Sequence, residues 1–209
     1  SDVYKRQDHY NSYKYFAYIN DDDQWLPGFS SLINAVKEDS TIDIAYGRTI
    51  FILSDRRCSI RPGAFTSRPA DAILLFQTGI PAFTQQSMIV RKKLLHDQGL
   101  FNLSLPITAD SAMWTSILKE KPSVVAFNIF ASAYELRGQR LSTNTSLIRT
   151  EDDAIHSNSK KSSIAINKKH VMAVILYRIT NIPVYLSRLI SSILGTAIFI
   201  NTKGLVNSD

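Results

Sequence analysis

Residues 13–38 read YKYFAYINDDDQWLPGFSSLINAVKE, and the order of side chains along them decides the class of fold. Residues 13–19 are dense in aromatic and apolar side chains, the composition of a buried strand. Beyond them Phe29, Leu32, Ile33 and Val36 fall at the spacing of one helix face, and Pro27 suits a helix's first turn. A strand followed directly by a helix opens an α/β unit. Between the two stand Asn20, Asp21, Asp22 and Asp23. Adjacent carboxylates repel by roughly 1 kcal/mol per close pair in a water-like dielectric and by about 4 kcal/mol at an effective dielectric of 20. Two arrangements offset that repulsion: an open solvated turn, which Asp favours, or a hard divalent cation bound by oxygens at a strand end. The triplet alone is compatible with both.

The rest of the chain continues the α/β pattern with some antiparallel strands. Residues 42–55 are β-rich, 56–63 (RRCSIRPG) form a polar turn region, and 68–79 read as a short helix stopped by Gly79. Residues 83–91 read as a strand and 92–99 as a short helix. Residues 108–121 form a helix with Thr108 as N-cap and Met113, Trp114, Ile117 and Leu118 as its apolar face. Two strands, at 123–130 and 132–138, close this part.

At 209 residues, 44% hydrophobic and 20% charged, the chain can bury one sizeable core, which excludes disorder throughout. Cys58 has no partner for an internal disulfide and the four His are scattered, so a zinc site is not expected and a reducing, cytoplasmic setting is. The net charge of +6 favours anionic partners, but no nucleic-acid-binding motif accompanies it. Residues 1–7 (SDVYKRQ) join poorly to the strand-like run after them and read as a non-native junction.

From Arg149 the composition becomes polar, with Lys160, Lys161, Lys168 and Lys169, and residues 171–200 are then strongly apolar. Spanning a bilayer takes about 20 apolar residues, and Arg178 and Arg188 would each cost roughly 2.5 to 3.5 kcal/mol at its centre. Residues 160–200 are therefore expected to form helices lying peripherally on an anionic membrane surface, at the inner face of the cytoplasmic membrane. Burial against the rest of the chain, or in a homodimer interface, is the competing expectation.

Residues 17–28, AYINDDDQWLPG, resemble the metal-binding segment of the family-two glycosyltransferases of GT-A fold. The same order continues downstream. FTQQSMIVRKKLL (83–95) looks like that family's H-Q-x-x-F-x-R-R strand and helix, GLFNLSLPITADSAMW (99–114) resembles its acceptor-side segment, and LRGQRLSTN (136–144) is similar to its closing loop. The resemblance covers about residues 15–144. It implies a GT-A domain over 8–148 that keeps the metal and acceptor half without the N-terminal βαβ part, and a basic linker with an apolar helical region over 149–209.

By the same resemblance Asp22 is the metal ligand for Mg²⁺ or Mn²⁺, with Asp21 in the motif and Asp23 ligating or orienting a sugar hydroxyl. Asn20 stands at the first position, where many members have Asp. Trp25 walls the donor site or packs in the core. Gln85 replaces the family's His, and Gln86 hydrogen-bonds a sugar or phosphate or else faces solvent. Asp110 occupies the catalytic position, where the carboxylate deprotonates the acceptor hydroxyl; its other reading is a first-turn charge on the helix dipole. Trp114 is core or an acceptor platform. Arg137 and Arg140 flank Gly138, where a cation stabilises a diphosphate or is a surface charge. The implied function is an inverting, metal-dependent glycosyltransferase of cell-surface polysaccharide synthesis, taking a nucleotide-diphosphate sugar and a glycan or lipid-linked acceptor. An inactive, truncated or degenerate domain acting in membrane attachment or assembly is the alternative, and a nucleotidyltransferase, which also gathers carboxylates around Mg²⁺, is a third.

Overall fold

A computed structural model describes residues 13–53, 58–60, 69–78, 80–99, 101–102, 104–105, 107–136, 146, 150–151 and 168–194. Its centre is one mixed sheet of six strands: β1 (Tyr15–Phe16), β2 (Gln24–Trp25), β3 (Ile44–Leu53), β4 (Cys58–Ile60), β5 (Met88–Arg91) and β6 (Val124–Leu136). The order is β1-β5-β3-β6-β2, with β4 sharing an edge of β3 with β5. Among the described residues only β3 and β6 run parallel as neighbours; the other pairs are antiparallel.

Alternation along the strands sorts the side chains onto two faces. Ile44, Tyr46, Met88, Val90 and Val124 face one core, shared with α2 (Pro69–Gln77), α3 (Lys92–Asp97) and α4 (Ala109–Lys119). Their neighbours Ala45 and Ile89 face a second core, closed by Phe29, Leu32 and Val36 of α1 (Phe29–Glu38). The molecule is thus α/β, with helices on both faces of the sheet. The helical spacing of residues 29–36 holds, except that Ile33 lies at the solvent edge.

Several elements differ from the sequence expectation. The strand expected at 13–19 pairs with β5 only at Tyr15 and Phe16, opposite Arg91 and Val90. The region 56–63, expected as a turn, contributes β4, paired to Ile50–Ile52 of β3. The strand expected over 83–91 begins as a 3₁₀ turn at Gln85–Ser87, where the Ser87 N–H and hydroxyl both donate to the Thr84 carbonyl. The two strands expected at 123–130 and 132–138 are one strand with an irregularity. Between Tyr46 and Arg48 the β3 chain advances two residues while its β6 partners advance from Ala126 to Phe130.

That bulge brings the β6 backbone hard against two glycines. A Cβ on Gly28 would stand 2.2 Å from the Phe130 carbonyl oxygen, and one on Gly47 would stand 2.8 Å from the Ala131 Cβ. Any side chain at either position would have to displace backbone. Past the bulge, Ala133 and Ser132 pair with Gln24 and Trp25, so the irregular strand carries the segment after the acidic turn. At the other end of the sheet Arg91 bonds Asp43 at 2.6 Å and the Ile42 carbonyl at 2.8 Å, tying β5 to the start of β3.

Two C-terminal helices follow, α5 (Lys168–Thr180) and α6 (Ile182–Leu194). Val174 and Tyr177 of α5 pack against the α2–α4 core, and His170 and Ala173 are buried. The outer face of the same helix is exposed. Among the described residues no helix is long and apolar enough to cross a membrane.

Candidate functional site

The acidic turn leaves β1 and returns to the sheet as β2, and Asp23 ties it down. Its Oδ2 accepts from the Asn20 amide at 3.0 Å and from the Gln86 amide at 2.8 Å, while its Oδ1 accepts from the Glu135 N–H at 3.1 Å. The Asp23 N–H closes the turn on the Asn20 carbonyl at 3.1 Å. Donors on three sides hold the carboxylate in one orientation. Asp21 and Asp22 remain exposed on the turn. The repulsion within the cluster is therefore eased by the solvent exposure of Asp21 and Asp22 and by the three protein donors to Asp23.

Gln86 is 2% exposed, so it does not face solvent: its side-chain amide serves Asp23, and its backbone carbonyl accepts the Trp25 indole N–H at 3.1 Å. Trp25 lies outside the core at 44% exposed, with one ring face stacked on Phe29 at 4.6 Å. Gln85 accepts the Tyr18 hydroxyl at 2.5 Å. Beneath this group is a hydroxyl network, in which Thr49 bonds Thr84 at 2.5 Å and Ser132 at 2.9 Å, and Thr84 bonds Ser87 at 3.0 Å. It fastens β3, β6 and the 3₁₀ turn together under Trp25 and Gln86.

From Gln85 a run of aromatic contacts leads towards α4. Tyr18 meets Phe101 edge-on at 5.5 Å, and Phe101 meets Trp114 edge-on at 6.1 Å. Trp114 is 3% exposed and also meets Phe83, so its ring belongs to the core. Its indole N–H has no hydrogen-bond partner among the described residues.

Asp110, in the first turn of α4, is half-buried and accepts the Ser111 N–H at 2.7 Å. Burial pushes its carboxyl above the ordinary carboxylate value and outweighs the Ser111 and local backbone hydrogen bonds that act the other way. Desolvation makes the anion more basic than a free carboxylate, the property a proton acceptor needs.

The start of α4 is capped from far along the chain. The Thr108 side chain makes no cap hydrogen bond; it donates instead. Glu151, 4% exposed, accepts the Thr108 N–H at 2.7 Å, the Thr108 hydroxyl at 2.8 Å and the Ile107 N–H at 3.1 Å. Burial would raise the Glu151 carboxyl, but the Thr108 and Ile107 hydrogen bonds win and hold it below its ordinary value. Neither Glu151 nor Tyr18 stands out in the sequence. Glu151 sits in a polar, charged stretch 43 residues from its partner, and Tyr18 is one aromatic of a strand-like run.

Arg137 and Arg140 lie outside the described residues. Among the described residues no three His, Cys, Asp or Glu side chains form an all-protein metal cage. Mg²⁺ rarely needs one: one or two carboxylates and a substrate's phosphates complete its shell. Asp21 and Asp22, exposed side by side, fit that donor set, while the three hydrogen bonds to Asp23 suit it to orienting the turn. No family model matches the chain, and no curated protein sequence is significantly similar to it.

Proposed function

We propose that the chain works in inverting glycosyl transfer of the GT-A type, moving a sugar from a nucleotide-diphosphate donor to a hydroxyl of a glycan or lipid-linked acceptor. The observation that carries this reading is the contrast between its carboxylates. Asp21 and Asp22 are exposed on a turn that Asp23 anchors, whereas Asp110 is desolvated and more basic. Displacement at an anomeric carbon calls for both environments. Asp22, with Asp21, would hold Mg²⁺ or Mn²⁺, which when bound supplies charge neutralisation at the donor diphosphate.

Asp110 takes the proton of the acceptor hydroxyl. The acceptor oxygen forms its bond to the anomeric carbon as the bond from that carbon to the diphosphate breaks, and the nucleoside diphosphate leaves with the electron pair. General bases of this kind contribute about 10² to 10⁴ in rate. The exposed face of Trp25, backed by Phe29, offers an apolar surface on which a sugar ring can lie. The test is release of nucleoside diphosphate from a panel of nucleotide sugars, by the protein with Mg²⁺ or Mn²⁺ and candidate acceptors. Metal- and acceptor-dependent release that is lost in Asp22→Ala supports the reading. No release with any donor would leave attachment or assembly as the role of this domain.

A further inference from the structure

The outer faces of α5 and α6 are apolar and open. Met172, Ile175 and Ile179 follow at helical spacing along α5, and Ile182, Leu186 and Leu189 do so along α6, each between 45% and 56% exposed. The two stripes lie on consecutive helices joined at Asn181, which is fully buried and donates through its amide to the Tyr177 carbonyl at 2.7 Å. Exposed large apolar residues on consecutive helices mark an interaction surface.

The charge of the sequence that carries these helices narrows the choice of partner. Between residues 154 and 208 the sequence has seven Lys or Arg and no Asp or Glu. Lys168 and Lys169 are exposed at the start of α5. Arg178 lies 5.5 Å from the centre of the Tyr185 ring and donates to the Tyr185 hydroxyl at 2.9 Å, so an exposed guanidinium and a tyrosine sit together beside the apolar stripe. Apolar side chains flanked by cations and amphipathic tyrosine form the pattern of a helix seated at a lipid interface. A second copy of the chain would instead bring two wholly basic segments together, a like-charge apposition that works against association.

We infer that α5 and α6 form a monotopic docking surface for an anionic lipid bilayer, their apolar stripes entering the acyl boundary while Lys168, Lys169 and Arg178 meet lipid phosphates. The inner face of α5 stays on the domain through Val174 and Tyr177, so docking needs no unfolding. The inference does not depend on the chemistry proposed for the acidic turn.

The experiment is vesicle co-sedimentation of the full chain, which avoids deleting a helix that contributes to the core. Vesicles containing phosphatidylglycerol are expected to bind at least about tenfold more tightly than pure phosphatidylcholine at 0.1 M salt. At 1 M salt, where the Debye length falls from about 10 Å to about 3 Å, the protein should be released. Ile179→Glu with Leu186→Glu changes only exposed side chains and is expected to abolish binding while the circular dichroism spectrum is kept. Lys168→Gln with Lys169→Gln should weaken binding about tenfold or more and leave the fold intact. Absence of binding at low salt, equal binding to both lipids, or unchanged binding by the folded Glu variant would overturn the inference. So would a dimer, seen by analytical ultracentrifugation, that the Glu variant dissolves while vesicles are ignored.

Discussion

The Gln86 amide donates to Asp23 Oδ2 at 2.8 Å across 63 residues of sequence, fastening the 3₁₀ turn before β5 to the acidic turn after β1. Because Gln86 is almost wholly buried and Asp23 is partly so, the bond lies where water replaces it poorly. Gln86→Ala is expected to cost about 1 to 3 kcal/mol of stability, chiefly through the carboxylate oxygen left short of a donor. Gln86→Glu should cost more, since it sets a second carboxylate against Asp23 at that site. Thermal and urea denaturation of the two variants measure this, and an unchanged midpoint for both would show that the bond contributes nothing.

The neighbouring carboxylates should separate stability from function. Asp23→Ala removes the acceptor for Asn20, Gln86 and Glu135 and is expected to destabilise the chain by more than about 1 kcal/mol, on the scale of lost charge-assisted hydrogen bonds. Asp22→Ala, on the exposed side of the turn, should stay within about 0.5 kcal/mol of the parent while losing Mn²⁺ binding and transfer. Denaturation read alongside Mn²⁺ titration by calorimetry tests the pair. A stable Asp22→Ala protein with undiminished metal affinity would remove this residue from the proposed site.

For Asp110 the pH dependence has a definite sign. Burial raises the folded-state pKa, so folding holds the proton more tightly than the unfolded chain does. The stability this gives is present below the ordinary value of 3.8 and is lost as pH rises through the raised folded value. Asp110→Asn, which carries no charge to desolvate, should therefore gain melting temperature relative to the parent as pH climbs from about 3.8 towards neutrality. The same variant should bind donor nearly as the parent does and turn over about 10² times slower or worse. A melting difference that does not vary with pH would mean that desolvation is not what distinguishes this carboxylate.

Much of the frame is legible in residues 13–38, because strand composition, a turn and a helix face succeed one another with little interference, and α1 forms where its spacing predicts. The exposure of Asp21 and Asp22 is also legible, since a run of carboxylates in a turn favours solvent. The roles of Asp23 and Gln86 are not. One charge in a run of three, and one of two consecutive glutamines, look alike in sequence, and only the β2–β6 and 3₁₀ contacts distinguish them. The irregularity in β6 escapes for a related reason: periodicity reports which face a residue takes, and the extra residues between Ala126 and Ser132, in two register shifts, interrupt the pattern, the second falling at Ala131 where the sequence reads as a break between two strands. Thr108 illustrates the limit at α4. Its type predicts an N-cap and it does hold that position, yet its side chain makes no cap bond and its hydroxyl donates to the distant Glu151 carboxylate instead.

That carboxylate, Glu151, gives the last prediction. It accepts two backbone N–H groups and a hydroxyl at the start of the helix bearing Asp110, so it holds the helix origin, two residues before the catalytic candidate in the first turn. Its folded-state pKa is lowered, so it contributes stability that is present above the ordinary value of 4.5 and lost as pH falls through the depressed folded value. Glu151→Gln keeps a carbonyl acceptor but loses the charge, and should cost about 1 to 2 kcal/mol at pH 7 through weaker hydrogen bonds and lost interaction with the helix dipole. Glu151→Ala, which strands the Thr108 donors, should cost more. The gap between Glu151→Gln and the parent should close at acid pH, where the parent's carboxyl is protonated too. Melting curves from about pH 3 to 7 test the sign, and amide hydrogen exchange at Thr108 locates the effect, since its N–H should lose protection in the Ala variant before distant strands do. A gap that stays constant down to about pH 3, with Thr108 protection unchanged, would show that α4 begins where it does without Glu151.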